Sequence, residues 1–154
     1  MKDLNIREEY TKLNYKLPKF EDINNEFELE LIKTKYFLLR QIRRRINEKI
    51  IFFCRIIEDL IYPTQQHIIN ITEVKSFSEE KKKKLQEIYK ELMYYERVSL
   101  MLDVSPDDSK DAEFINDVFN FWKRIKKQME DIVKIMQESW KKEDFSSEKN
   151  NYFG

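Results

Sequence analysis

The sequence predicts an all-α fold, an antiparallel bundle of three long helices with an N-terminal segment or short fourth helix packed on it. Apolar residues recur at spacings of three and four over three long stretches, the period of an amphipathic helix. The chain has 154 residues and one glycine, Gly154, so the Asn-Gly and Asp-Gly turns of tight hairpins are absent. Proline, serine and aspartate stand where those stretches begin or end.

Residues 1–33 form a wrapping segment in this reading. Leu17-Pro18-Lys19-Phe20 is expected to be extended, because a residue before proline avoids helical angles. Phe27-Glu28-Leu29-Glu30-Leu31 alternates like a strand, as do Ile69, Ile71 and Val74. A two-stranded ribbon of such segments is marginal by itself. Residues 24–33 are therefore expected to extend the first long helix or to pack as a short one.

The bundle is placed at 34–142. Its first long helix spans 34–61, where Leu39, Ile42, Ile46, Ile50, Phe53, Ile57 and Leu60 fall on one stripe and Pro63 closes the element. The second runs from about Ser78 to Asp103. Leu85, Ile88, Leu92, Tyr95, Ser99 and Leu102 keep a three-four alternation that reads as a coiled-coil-like seam. Its start carries two caps to choose from, Ser76 with Glu79 or Ser78 followed by two glutamates. The third opens on Ser105-Pro106-Asp107-Asp108, read as an N-cap serine, a first-turn proline and two carboxylates. Phe114, Val118, Phe121, Ile125, Met129, Ile132 and Met136 form its stripe, widened by Ile115, Trp122, Val133 and Trp140. Residues 143–154 read as a flexible tail.

Composition excludes several functions. A phosphate-binding loop and a dinucleotide-binding turn both need glycine where backbone approaches phosphate, and no interior glycine exists. Hydrophobic residues are 41% and charged residues 38%, and the run Ile50-Ile51-Phe52-Phe53-Cys54 falls far short of the ~20 residues that cross a bilayer. The early acidic residues do not resemble a secretory leader, and one cysteine permits no internal disulfide. A soluble protein of a reducing cytoplasm is expected. Lys plus Arg and Asp plus Glu are both 29, so the positive surplus of a dedicated nucleic-acid binder is missing.

Chemistry-bearing residues are sparse. His67 is the single histidine, so imidazole metal clusters cannot be built, and it reads as a loop residue. Cys54 lies among isoleucines and phenylalanines and reads as core. The visible carboxylate pairs sit at helix starts or at i, i+4 from lysine and arginine. No catalytic residue, metal ligand or cofactor is assigned.

What remains is surface. On the second long helix, Lys83, Glu87, Lys90, Tyr94, Arg97 and Met101 fall opposite the seam. Lys90 and Arg97 flank Tyr94, an arrangement that pairs phosphate contacts with base stacking. On the first, Ile51 and Phe52 leave Ile50 to Ile57 apolar almost all round, so that stretch needs cover from residues 1–33 or from a partner. The expectation is a non-catalytic adaptor or assembly subunit, binding a protein partner or a second copy through Ile51, Phe52, Tyr94, Met101 and Trp140. The alternative is nucleic-acid or ribonucleoprotein binding through Lys83, Lys90, Tyr94 and Arg97.

Overall fold

The computed structural model describes residues 3–63 and 68–142, with the backbone alone at 68–70. The expectations for His67 and for the tail at 143–154 lie outside the described residues. Among the described residues six helices follow one another: α1 (Ile6–Thr11), α2 (Phe20–Phe27), α3 (Leu38–Ile61), α4 (Ile68–Val74), α5 (Glu79–Val104) and α6 (Asp108–Lys142). A single 3-10 turn, Leu29–Leu31, follows α2, and no strand occurs among the described residues.

The three long helices pack against one another, most extensively α3 against α5. Arg43, early in α3, meets Ser99 and Asp103 late in α5 and Asp111 early in α6. At the other end Tyr89 of α5 donates to Glu58 of α3. Hence α5 runs against α3, and α6 runs with it. The predicted stripes are the core. Leu39, Ile42, Ile46, Ile50, Ile57 and Leu60 are buried on α3, and Leu85, Ile88, Leu92 and Leu102 on α5. Phe53 is only partly buried, because its ring lies beside Trp122 at 5.3 Å on the flank of the core, and Cys54 takes the interior place instead.

Capping decides the starts. The Ser78 hydroxyl accepts from the Lys81 amide at 3.2 Å, so α5 uses this serine and not Ser76. For α6 the expected serine cap is corrected. Asp107 Oδ1 accepts from the Lys110 amide at 3.0 Å, while the Ser105 amide closes α5 on Met101 O. Pro106 therefore lies before the cap, where it ends one helix and begins the next turn. The widened stripe of α6 is also corrected: Ile115 and Trp122 are buried, but Val133 and Trp140 are exposed. At 1.5 Å per residue, the 35 residues of α6 outrun the 24 of α3 by roughly 16 Å. The short α4 packs against both helices. Its residues Ile71 and Val74 are helical, so the strand-like alternation misleads in this stretch.

The N-terminal segment neither extends α3 nor forms a ribbon. It buries Ile6, Tyr10, Phe20, Ile23, Phe27 and Leu29 against the bundle. Tyr10 donates to Pro18 O at 2.6 Å, and Asn116 of α6 donates to Lys16 O at 2.6 Å, fixing the extended stretch. Glu26 is the main anchor: it accepts from Trp122 Nε1 at 2.7 Å and Lys126 Nζ at 2.6 Å. Burial pushes its carboxyl up, but those two hydrogen bonds and the Lys126 and Lys49 charges hold it below the usual range. With no interior glycine, the two left-handed positions among the described residues fall on Glu28 (φ 54°) and Phe37 (φ 53°). Glu28 lets the chain leave α2, and Phe37 turns it into α3.

Candidate functional site

The two faces of α5 differ in what they meet. Its inner face is the seam already described, with Tyr95 half-buried and its ring 5.0 Å from Phe121. Ser99 lies in that seam and is buried for a reason the apolar pattern hides. Arg43 is 0% exposed, and its guanidinium donates to Ser99 O at 2.8 Å, Ser99 Oγ at 2.7 Å, Asp103 at 2.6 Å and Asp111 at 2.6 Å. The hydrogen bond from Arg43 holds the Asp103 carboxyl below its ordinary range, while burial pushes Asp111 up against the pull of the same arginine. This knot joins all three long helices. Arg44 also donates to Asp103 at 3.2 Å, so two guanidiniums stand against two carboxylates and the knot is a tie within the bundle.

The outer face of α5 is open. Lys83, Lys90, Tyr94 and Arg97 are all exposed along it. Toward the C-terminal end the face turns apolar: Tyr94 is 65% exposed, Leu100 50%, Met101 63% and Val104 76%. At ~100° per residue these four lie within a sector of about 120° opposite the core. Sequence reasoning placed Tyr94 and Met101 here and missed Leu100 and Val104. The signal was present, since Val104 continues the row three residues beyond Met101. Arg97 pairs with its neighbour Glu96, while Lys83 and Lys90 have no ion-pair partner among the described residues.

The other expected anchors are dispersed. Ile51 is half-buried on α3. Phe52 is 59% exposed and stacks edge-on against Phe53, beside a cleft of about 520 Å³ on the α2 side. That cleft is lined by Glu26, Glu28, Arg45, Glu48 and Lys49, whose charges are mutually paired. Lys49 donates to Glu26 O at 2.7 Å, lies 4.5 Å from the Trp122 ring, and has its ammonium pKa lowered chiefly by burial. Trp140 sits at the far end of α6 and donates to Glu73 of α4. Of the five expected anchors, only Tyr94 and Met101 share a surface.

A second exposed aromatic pair, Tyr36 and Phe37, flanks the start of α3, with the Arg40 guanidinium 4.7 Å from the Phe37 ring. Cys54 is buried and its thiol is pushed up to about 11, chiefly by burial, which removes thiolate chemistry at neutral pH. Among the described residues no group of His, Cys, Asp and Glu is placed to hold a metal, and no helix is long and apolar enough to cross a membrane. Fold and surface together define an all-α helical bundle with one open, partly apolar helix face. Known protein families, curated proteins and solved structures contain no match to this chain.

Proposed function

We propose that this protein is a non-catalytic adaptor or assembly subunit that binds a protein partner through the outer face of α5. One observation carries the reading. Tyr94, Leu100, Met101 and Val104 stand half or more exposed on a helix whose opposite face is the core, and water-exposed apolar strips of this kind mark contact surfaces. Ile51, Phe52 and Trp140 lie away from this strip and take no part in it.

A photo-crosslinking side chain at position 101 is expected to capture protein, and the same group at Lys127, an exposed site on α6, is expected to capture none. Equal labelling at both positions refutes the reading. The unpaired ammonium groups of Lys83 and Lys90 support a second reading, nucleic-acid binding. It predicts retention on RNA or DNA that falls steeply with salt and disappears in Lys90→Glu.

A further inference from the structure

We infer that a second contact surface lies between the start of α5 and the end of α6, a groove that takes an acidic, amphipathic peptide segment of a partner protein. The two helices touch near their middles, where the Tyr95 and Phe121 rings lie 5.0 Å apart and Arg124 donates to Glu91 at 2.5 Å. Beyond that point they leave room between them. Two cavities, of about 240 and about 400 Å³, follow each other there and share Lys81, Asp131 and Ile135 in their linings. Measured along α6 from Gln128 to Lys142, at 1.5 Å per residue, the groove is roughly 21 Å long, about four helical turns.

Charge decides what fits. Four exposed lysines border the groove, Lys81 and Lys84 from α5 and Lys134 and Lys142 from α6, and none of them has an ion-pair partner among the described residues. The two carboxylates in the lining are answered by other lysines: Asp131 pairs with Lys127 at 3.4 Å, and Glu138 with Lys141 at 3.5 Å. The rim therefore keeps uncompensated positive charge in a chain whose formal net charge is zero, and it attracts an anionic occupant. Between the lysines, Phe77, Leu85, Ile88, Ile132 and the half-buried Ile135 make an apolar floor. An occupant with hydrocarbon on one face and carboxylates along its edges matches this pattern, as an amphipathic helix does when it lies in a groove. A nucleic-acid strand fits it less well. The one aromatic ring of the floor, Phe77, is buried and offers no stacking platform, and Asp131 and Glu138 stand against a continuous row of phosphates. A peptide can set its acids opposite the lysines alone.

The probe is a fluorescein-labelled peptide of about fourteen residues, leucine at helical spacing and glutamate elsewhere, titrated with the full chain and followed by anisotropy. Saturable binding at one site is expected, several-fold weaker at ~300 mM than at ~50 mM salt. Lys81→Glu combined with Lys134→Glu is expected to weaken it at least about tenfold, and Lys84→Glu combined with Lys142→Glu should do the same. Lys83→Glu combined with Lys90→Glu makes an equal change of charge on the outer face of α5 and should leave the affinity within about twofold. All six lysines are exposed, so thermal unfolding of the variants should match the parent and separate lost binding from lost folding. A peptide with serine in place of every leucine should bind at least about tenfold more weakly, because it leaves the floor uncovered. Four results overturn the inference: no detectable binding, a loss from the outer pair as large as from the groove pairs, equal binding of the serine peptide, or displacement by oligothymidylate at lower concentration than by the unlabelled peptide. The groove lies apart from Tyr94 and Met101, so this result and protein capture at position 101 stand or fall separately.

Discussion

Arg43 and Val104 invert the usual placement of charge and hydrocarbon: the arginine is 0% exposed and the valine 76%. Both belong to the same end of the bundle, where the start of α3 meets the end of α5. The difference teaches that burial in this protein follows the partners a side chain can reach. Arg43 is inside because two carboxylates, a hydroxyl and a carbonyl oxygen converge on its donors from α5 and α6. Val104 is outside because, among the described residues, α5 has neighbours on one face and none on the other.

The largest test of that contrast is Arg43→Met. Removing one member of a buried ion pair leaves Asp111, 1% exposed, without its partner, and a loss of about 3–5 kcal/mol is expected in urea denaturation. Adding Asp111→Leu should recover much of it, since an apolar pair needs no compensation. Recovery absent from the double variant would mean that Arg43 acts through Ser99 and Asp103 instead.

Glu26→Gln comes next, with an expected loss of about 1–2 kcal/mol at neutral pH from the charge-assisted bonds of Trp122 and Lys126. Because the folded carboxyl is held below its ordinary value of 4.5, its contribution is complete above that value and disappears as pH falls through the folded one. Denaturation midpoints of parent and variant should therefore differ at pH 7 and draw together only as the pH falls below 4.5.

Phe37→Asn is expected to act in the opposite sense. A bulky residue at φ 53° carries a steric penalty that asparagine tolerates better, and a gain of about 0.5–1 kcal/mol should appear, reduced by loss of the Arg40 contact. The smallest effect belongs to the open face. Met101→Ser should change stability by under about 0.5 kcal/mol, since the side chain gives up little buried surface. A loss of 2 kcal/mol there would show that the outer strip is already covered within the chain.

Much of this architecture was legible in the sequence because helical period and core stripe are the same fact. Leu85, Ile88, Leu92 and Leu102 could be placed from spacing alone. Arg43 was legible only as a position: it stands four residues after Leu39 and three before Ile46, at the edge of the stripe from which Arg44 and Arg45 fall away, and nothing in the spacing says that a charge would be held there. A hint to that was Ser99, a polar residue in an otherwise apolar seam, which asked for a polar partner. The Glu73 carboxylate beside Trp140 was not legible, because it belongs to a short helix that the alternation of Ile69, Ile71 and Val74 disguised. The outer strip was half visible. Tyr94 and Met101 follow from the row, whereas Leu100 needed the knowledge that no described element covers that side of α5.

The two tryptophans of the chain occupy different joints, and this makes the protein its own optical probe. Trp122 touches Glu26 through its indole nitrogen and has Lys49 over its ring, so its emission should redden and change in intensity when the N-terminal segment lifts from the bundle. Trp140 answers to α4. Replacing either one by phenylalanine leaves a single emitter, and stopped-flow fluorescence would then time the release of each cover separately, with no label attached.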